Sequence, residues 1–262
     1  MSDIAGFLHQ LCDAAAKETL PRFRSGTHIE NKLQSDFDPV TEGDREAERV
    51  IRALIEEHYP DHGIVGEEFG TVRADAKFKW VIDPIDGTRA FISGIPVWGT
   101  LIGLYEHGVP TAGIVHQPYT GERYFAVDGA SWAKRDGEET RQPISTKSSE
   151  DISQAVIMTT TPALFNETER PCFDGLAEAC RLERYGCDCY AYAMVAAGNA
   201  DLVVETGLHI YDIAALIPII EGAGGIVTSW SGGDASNGGQ VLAAANKALH
   251  EAALAHLKPA AV

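Results

Sequence analysis

The sequence lacks long apolar runs. No stretch of its 262 residues approaches the ~20 uninterrupted apolar residues that a transmembrane helix requires. The first residues, Met1 to Ala5, carry neither the basic start nor the apolar core of a secretory signal. Hydrophobic residues make up 45% of the chain and charged residues 23%, which is the balance of an ordinary folded protein. We therefore expect a cytoplasmic protein and not a secreted, membrane-bound or disordered one.

Basic residues are scarce. The chain has 21 Lys and Arg against 38 Asp and Glu, which gives a formal net charge of −17. A surface of this sign repels the phosphate backbone of nucleic acids, so we expect no nucleic-acid partner. If the protein handles a small phosphate compound, cations must be brought to the site to offset the negative charge.

Motifs for zinc, disulfides and dinucleotides are also missing. The five cysteines are an odd number, and the Cys187-Asp-Cys189 spacing is too short for a usual zinc knuckle. No His-x-x-x-His pair falls on a predicted helix, so zinc hydrolysis lacks support. Gly222 to Gly225 follow a predicted helix instead of preceding one, which favours a helix end over a dinucleotide loop. We expect free thiols in a reducing compartment.

The first half of the chain predicts two helices and a sheet. Apolar residues at helical spacing predict a helix over the first twenty residues, ended by Pro21, and a second helix from an N-cap at Thr41 to Pro60. The segment 27–33 is expected to be extended. Short apolar runs predict strands at 64–65, 80–82, 97–105, 111–115 and 123–127, with a hairpin about 106–108. This half is expected to place a helix pair over a largely antiparallel sheet.

The second half alternates strands and helices. Strands are predicted at 155–158, 182–185, 201–205, 226–227 and 241–244, and helices at 172–180, 190–197, 213–223 and 247–257. Such alternation is typical of an α/β structure. The polar stretch 136–150 separates the halves. We therefore expect an N-terminal α+β half over residues 1–140 and a C-terminal α/β half over residues 141–262.

The clearest chemical signal is a pair of acids at the end of a buried strand. The apolar run that ends at Ile82 leads into Asp83 and Asp86, followed by Gly87, Thr88 and a predicted helix start. A buried carboxylate is unfavourable by several kcal/mol unless a cation or hydrogen bonds compensate. Mg²⁺ prefers clustered oxygens completed by water and phosphate, and N–H groups at a helix start bind anions. Taken alone, Asp-Gly-Thr is more often a turn and a helix cap.

Three further acidic elements favour a functional site. Gly66-Glu67-Glu68 also follows a short apolar strand, Asp44 lies in the first turn of the second helix, and Asp212 precedes the helix predicted from Ile213. Each has an ordinary explanation as a cap or a helix-dipole residue. Together they match a multi-metal phosphoryl-transfer site, in which cations about 3.5–4 Å apart contact the attacking and leaving oxygens.

These blocks resemble those of a known family. Asp83-Pro-Ile-Asp-Gly-Thr88, the upstream Gly66-Glu-Glu68 and the downstream Tyr211-Asp212 and Glu221-Gly-Ala-Gly-Gly225 are similar to the motifs of the inositol monophosphatases, which are Mg²⁺-dependent, lithium-sensitive phosphatases. The resemblance runs from Phe7 to Ala245. It implies a mixed α+β and α/β fold, a layered αβαβα sandwich of the sugar-phosphatase type with the site between the halves. It also implies a homodimer.

Other segments resemble one branch of that family. Residues 88–94, 98–102 and 186–192 are most similar to the histidinol-phosphate phosphatases, and Arg89-Ala90 departs from the inositol phosphatases, which usually carry another polar residue and then Asn. The resemblance implies that L-histidinol phosphate is hydrolysed to L-histidinol and phosphate in histidine biosynthesis. Inositol phosphate, a sugar bisphosphate or a 3′-phosphoadenosine nucleotide remain alternative substrates, and a non-catalytic binding role is a further alternative.

The resemblance implies a set of metal ligands. Two to three Mg²⁺ ions would be held by Glu67, Asp83, the carbonyl of Ile85, Asp86 and Asp212, with Asp83 shared by two ions and Glu67 helping to secure a third. Glu67, Ile85 and Asp212 would also face the substrate. Without metal these acids repel a phosphate dianion, and bound ions reverse the local charge. A metal-activated water would then attack phosphorus in line, so no nucleophilic Ser or Cys is needed.

The resemblance also implies contacts to phosphate, water and the alcohol. The amides of Gly87 and Thr88 would bind phosphate, and Asp44 would bond the Thr88 hydroxyl, so that these residues and Glu67 act on the attacking water. Lys32 would neutralise charge near the loop that closes the site. The alcohol part would meet Arg184, Asp188 and Glu205, and acids there suit a cationic leaving group.

Overall fold

The computed structural model describes residues 3–25, 29–31 and 39–262. Within these residues the helices are α1 Ile4–Thr19, α2 Glu42–His58, α3 Thr88–Ile92, α4 Glu169–Ala179, α5 Asp188–Ala196, α6 Ile210–Ile213, α7 Leu216–Gly222 and α8 Lys247–Leu257. The strands are β1 Ile29–Asn31, β2 Pro39–Thr41, β3 Gly63–Gly66, β4 Gly70–Val72, β5 Phe78–Asp86, β6 Gly99–Glu106, β7 Val109–Gln117, β8 Glu122–Val127, β9 Ala130–Arg135, β10 Gln142–Pro143, β11 Val156–Thr159, β12 Leu182–Tyr185, β13 Leu202–Leu208, β14 Ile226–Thr228 and β15 Gly239–Ala244. None of the described helices is both long and apolar enough to cross a membrane.

Two large sheets organise the described chain. The eight-stranded sheet has the order β10-β9-β8-β7-β6-β5-β3-β4, and its neighbours are antiparallel except for β3 and β5. The five-stranded sheet has the order β12-β11-β13-β15-β14, with β11 parallel to both of its neighbours. Strands β1 and β2 form a separate antiparallel pair. The sequence prediction of a largely antiparallel sheet followed by alternating strands and helices is confirmed.

The layers stack in the order helix, sheet, helix, sheet, helix. Helices α1 and α2 cover one face of the eight-stranded sheet through a core that includes Leu8, Leu11, Ile51 and Trp80. Helices α5 and α7 lie between the two sheets, and α4 and α8 pack together on the outer face of the five-stranded sheet. Each helix turns its apolar stripe to a sheet, which is the usual way that such layers bury a common core. The fold is therefore the layered αβαβα sandwich expected from the sequence.

The prediction of a single helix over residues 213–223 is wrong. The segment forms two helices, α6 and α7, with a turn at Ala214 and Ala215 between them. Pro218 explains the break, because proline has no N–H to donate to the carbonyl four residues earlier, which belongs to Ala214. Strands β2, β4, β9 and β10 are additional to the prediction. The boundary expected at residue 140 stays a proposal, and it falls just before β10, which still pairs with β9.

Two glycines allow the α6–α7 turn to pack closely against the sheet. Gly103 and Gly113 face each other across β6 and β7. A Cβ atom on Gly103 would lie 2.8 Å from the carbonyl carbon of Ala214, and one on Gly113 would overlap the carbonyl oxygen of Ala215. Only residues without a side chain allow the turn to approach the sheet this closely. The turn therefore carries Asp212, two residues earlier, to the end of β5.

We expect Gly113→Ala to lower the free energy of unfolding by about 1–3 kcal/mol, because the new methyl group overlaps backbone that cannot rotate away. Gly175→Ala is the matched control, since a Cβ atom there meets only the Nδ1 atom of His256, at 3.7 Å, in the interior of α4. The control is expected to be neutral or stabilising by up to ~1 kcal/mol. Urea unfolding followed by tryptophan fluorescence measures both. Equal midpoints for the two variants would contradict the close packing of the turn.

Candidate metal and phosphate site

Three carboxylates converge at the end of β5. Asp83 and Asp86 belong to β5 and Asp212 to α6, and one carboxylate oxygen of each lies within 4.8 Å of the others. Residues three apart in a regular strand point to opposite faces. The pairing of β5 with β6 is irregular between Asp83 and Asp86, and this irregularity is what allows both side chains to reach one point. The convergence expected from the sequence is therefore present.

Asp83 is the most buried member of this acidic cluster. It is 2% exposed, and its Oδ1 atom is buried without a hydrogen-bond partner. Burial raises the pKa of Asp83 well above its usual range, and repulsion from Glu67, Asp86 and Asp212 and a hydrogen bond with the Glu67 carboxyl group raise it further. Glu67 therefore lies beside Asp83, as the proposed ligand set requires. A buried carboxylate oxygen without a donor is unfavourable unless a cation takes that place.

Backbone N–H groups hold the remaining two acids. The Cys189 N–H, at the start of α5, donates to Asp86 Oδ2 at 2.6 Å. The His209 N–H donates to Asp212 Oδ2 at 2.6 Å, as part of the capping box of α6. Burial raises the pKa of Asp86 well above its usual range, followed by repulsion from Asp188 and Asp212. The carboxylates are thus fixed in place although they repel one another.

The donor atoms suit a hard divalent cation. All three clustered groups are carboxylates, with no His or Cys among them, and Mg²⁺ and Ca²⁺ prefer oxygen ligands of this kind. The expected fourth donor, the Ile85 carbonyl, accepts a hydrogen bond from the Thr88 hydroxyl at 3.0 Å. A carbonyl oxygen has two lone pairs, so this bond leaves capacity for a cation. The unpartnered Oδ1 atom of Asp83 is the observation that favours a metal.

The expected phosphate contacts lie where α3 begins. Gly87 is the N-cap of α3 and has a φ of +83°, which a residue with a side chain rarely adopts. A Cβ atom on Gly87 would also lie 3.0 Å from Asp188 Oδ2. The first N–H groups of a helix have no partner within the helix, so the Gly87 and Thr88 amides are available for an anion. Their role in phosphate binding stays a prediction.

The expected hydrogen bond between Asp44 and the Thr88 hydroxyl is wrong. Thr88 Oγ1 donates to the Ile85 carbonyl, and Asp44 Oδ2 instead accepts from the Thr41 N–H at 2.8 Å and the Thr41 hydroxyl at 2.6 Å. The reason is local. Asp44 completes the capping box of α2, and Thr41 is only three residues away. Burial raises the pKa of Asp44 to about 7, and repulsion from Glu67 is among the further causes. Asp44 therefore lies next to the acidic cluster, but its hydrogen bonds stabilise the start of α2.

Two of the three residues expected to meet the alcohol also reach this region. Glu205 is buried on β13, where its carboxylate accepts from the Thr160 N–H at 2.6 Å and the Thr159 hydroxyl at 3.2 Å. Burial raises the pKa of Glu205 to about 7, and repulsion from Asp188 contributes. Burial also raises the pKa of Asp188, and a hydrogen bond with the Thr160 side chain and the charge of Arg89 oppose this rise. Asp188 and Glu205 therefore form an acidic pair, of which Asp188 lies beside Asp86.

Two predicted residues remain, Arg184 and Lys32. Arg184 lies on β12, all of whose residues are exposed. Its charge acts on the Cys187 thiol, whose pKa is raised mainly by burial. Lys32 lies outside the residues that the structure describes.

The sequence analysis missed Cys189 and Thr160, which hold Asp86 and Glu205 through backbone N–H groups. No side-chain pattern could have indicated them, since any residue except proline carries such a donor.

Comparison with known proteins is consistent with this geometry. Residues 1–260 match the sequence profile of the inositol monophosphatase family. The chain is similar to the Arabidopsis thaliana protein "Bifunctional phosphatase IMPL2, chloroplastic", at 40% identity over 259 residues, 95% of this chain and 73% of that protein. It is also similar to a histidinol-phosphatase of Chlorobaculum parvum, at 36% identity over 242 residues, 92% of this chain and 91% of that protein. A solved inositol monophosphatase from Zymomonas mobilis has a TM-score of 0.84 at 42% identity, with 96% of each chain covered.

We expect Asp83→Asn to stabilise the protein in EDTA, increasingly so as the pH rises from 5 to 8. The pKa of Asp83 is raised in the folded protein. At a pH above the ordinary pKa of an aspartate, the folded protein therefore binds more protons than the unfolded chain. The free energy of unfolding then falls as the pH rises, and Asp83→Asn removes this loss. The difference from the parent protein should be on the order of 1 kcal/mol or more at pH 8. Saturating Mg²⁺ should stabilise the parent but not the variant.

Thermal or urea unfolding in EDTA and in Mg²⁺ measures these differences. Asp75→Asn is the matched control, because Asp75 is exposed and the same change there should have no effect that depends on pH or metal. If Asp83→Asn destabilised the metal-free protein equally at pH 5 and pH 8, mutual repulsion would not dominate the cluster.

Proposed function

The chain belongs to the inositol monophosphatase family and is a phosphatase of that family, and we propose that it is a Mg²⁺-dependent phosphomonoesterase that hydrolyses L-histidinol phosphate. The observation that carries the metal dependence is the convergence of the half-buried Asp86 and Asp212 on the buried Asp83, with one Asp83 oxygen left without a partner. The proposed products are L-histidinol and phosphate. We also propose that the protein acts in the cytoplasm, in histidine biosynthesis, and as a homodimer.

We assign the metal-binding role to five residues. Two to three Mg²⁺ ions would be held by Glu67, Asp83, the Ile85 carbonyl, Asp86 and Asp212. When bound, such ions activate water and offset the charge on the leaving oxygen. Glu67, Ile85 and Asp212 would also contact the substrate. A non-catalytic member of the family would be expected to have lost one of these acids, and all of them are present in this sequence.

The residues around the attacking water follow from the hydrogen bonds of Thr88. The Thr88 hydroxyl donates its proton to the Ile85 carbonyl. Its oxygen, Oγ1, can therefore accept a hydrogen bond from the water and so orient it. The Glu67 carboxylate, next to Asp83, would accept a second hydrogen bond from the same water. Asp44 lies near Glu67 and has a pKa raised to about 7, so it can take up or release a proton near neutral pH. The Gly87 and Thr88 amides would hold the phosphate.

The choice of substrate rests on Asp188 and Glu205. Asp188 lies beside Asp86, and Glu205 lies beside Asp188, so we infer that the alcohol would meet this pair. A leaving group that carries an ammonium group and an imidazole would be attracted to them, since opposite charges pair. The similarity to the Chlorobaculum parvum histidinol-phosphatase supports this choice. Arg184 is proposed as a third contact, and Lys32 as a residue that neutralises charge near the loop closing the site.

Inositol 1-phosphate is the second candidate substrate, because the Zymomonas mobilis inositol monophosphatase is 42% identical to this chain. Inositol is uncharged, so it would not use the attraction of Asp188 and Glu205. Its hydroxyl groups could instead donate hydrogen bonds to these carboxylates.

A substrate panel tests the proposed reaction. We expect kcat/KM for L-histidinol phosphate to exceed that for inositol 1-phosphate, fructose 1,6-bisphosphate and 3′-phosphoadenosine 5′-phosphate by at least ~10-fold, which corresponds to about 1.4 kcal/mol in the transition state. Phosphate release should stop in EDTA and return with added Mg²⁺. Equal rates with and without EDTA would overturn the metal dependence, and a higher kcat/KM for inositol 1-phosphate would replace the proposed substrate with the second candidate.

We expect Glu205→Gln to raise KM for L-histidinol phosphate by about 10-fold, the effect of losing ~1.4 kcal/mol of charge attraction, and to change KM for inositol 1-phosphate much less. The amide is isosteric and its oxygen can still accept from the Thr160 N–H, so the fold is kept. Because Glu205 has a pKa of about 7, the carboxylate ionises as pH rises through 7, and the difference from the parent should be larger at pH 8 than at pH 6.

Steady-state kinetics on the two esters at both pH values measures this effect. Glu183→Gln is the control, since Glu183 is exposed on β12. An equal rise in KM for both esters would show that Glu205 maintains the structure of the site and does not recognise a cationic substrate.

A further inference from the structure

A buried ion pair on α2 holds the turn that carries Glu67. Glu48 is fully buried, and its Oε1 accepts from the Nε of Arg52, one helical turn later, at 2.6 Å. None of the roles assigned above uses Glu48 or Arg52. A fully buried carboxylate is rarely kept without a function for its hydrogen bonds.

The Glu48 carboxylate is bound to the backbone directly after Glu67. The Glu68 N–H donates to Glu48 Oε2 at 2.7 Å, and the Phe69 N–H donates to Glu48 Oε1 at 3.2 Å. The Arg52 Nη2 donates to the Gly70 carbonyl. One ion pair therefore satisfies three consecutive backbone groups of the turn between β3 and β4.

The other end of the same turn is attached to β5. The Glu67 N–H donates to the Ile82 carbonyl at 3.2 Å, and Ile82 directly precedes Asp83. Gly66 pairs with Ile82 in the parallel register of β3 and β5. The Glu67 backbone is thus fixed on one side by the strand that carries Asp83 and on the other side by Glu48. These contacts set the point on the backbone from which the Glu67 side chain extends beside Asp83.

Gly66 shows how close this approach is. A Cβ atom on Gly66 would overlap the Glu48 carboxylate and would lie 2.7 Å from Nη2 of Arg52. The Glu48 carboxylate and the Arg52 guanidinium occupy the space that a side chain at position 66 would need, so Gly66 is required for the ion pair to pack against this turn.

We propose that Glu48, paired with Arg52, is a positioning residue that sets the Glu67 carboxyl group beside Asp83 and so determines how well the site takes up a divalent cation. This inference rests on the proposed function, since it assigns Glu48 a part in preparing the site. Residues that orient metal ligands commonly change metal affinity by 10–100-fold when they are replaced.

The test is a calorimetric titration of the full chain with Mg²⁺ alone, without substrate. Glu48→Gln keeps the size of the side chain but leaves one oxygen in place of two, so the Glu68 and Phe69 N–H groups and Arg52 compete for it. We expect the Kd for Mg²⁺ to rise by about 10-fold or more, and Glu48→Asp, which keeps the carboxylate, to recover part of this loss. Glu46→Gln is the matched control, because Glu46 lies on the same helix and also pairs with an arginine, Arg49.

A double-mutant cycle shows whether Glu48 acts through Glu67. If it does, Glu48→Gln should raise the Kd for Mg²⁺ in the parent but not in a Glu67→Gln background. A purely structural role predicts a lower melting temperature in EDTA with an unchanged Kd, and that result would overturn the proposal. Where Glu48→Gln does not fold, Arg52→Lys, which keeps the charge but loses the paired N–H groups, provides the same comparison.

The same experiments separate this proposal from the proposed function. If the parent chain binds Mg²⁺ and hydrolyses phosphate esters but Glu48→Gln has the parent Kd, the positioning role alone fails. If the parent chain neither binds Mg²⁺ nor releases phosphate, the proposed function fails, and the positioning role is overturned with it.

Discussion

Asp83, Asp86 and Asp212 repel one another where little water is present to screen them, and several other features of the molecule follow from this. Burial and mutual repulsion raise the pKa values of Asp83 and Asp86, so the metal-free protein holds these groups at the expense of its own stability. A divalent cation removes that repulsion and adds attraction. Cation binding and protein stability would therefore depend on the same interaction, because a bound cation would offset the repulsion among the acids.

Such a cluster persists only if its members cannot move apart. The three acids are attached to β5 and α6, and the backbone of α5 holds Asp86 from a third direction. The α6–α7 turn is pressed against Gly103 and Gly113, which keeps Asp212 near β5. The layered fold provides this rigidity because α5 and α7 lie between two sheets, and α6 packs on β5 and β6. A site of like charges on mobile loops would relax by separation, whereas here separation would require the core to open.

The sequence was sufficient where the chemistry is local. A buried strand that runs into Asp83 and Asp86 identifies the acids, and the Thr41 cap identifies the start of α2. It was insufficient where position depends on contacts distant in sequence: no pattern indicates that Gly103 and Gly113 receive the α6–α7 turn. The expected Asp44–Thr88 bond fails for the opposite reason, because Thr41 is nearer in sequence and is bound as soon as the helix forms. A family resemblance names candidate residues, but a local hydrogen bond can still take up the side chain of one of them.

Selectivity can arise from the same imbalance of charge that makes the metal necessary. Asp188 and Glu205 lie beside the cluster and repel each other, and a bound phosphate adds further negative charge. Under the proposed function, divalent ions bound at the three aspartates would offset the charge of the phosphate, and the two carboxylates of Asp188 and Glu205 would be left to face the alcohol. A substrate that brings its own positive charge completes the neutralisation, whereas a neutral alcohol must rely on hydrogen bonds. Under the proposed function, the acidic pair would favour a cationic alcohol, and the preference would follow from how much negative charge the metal leaves unpaired.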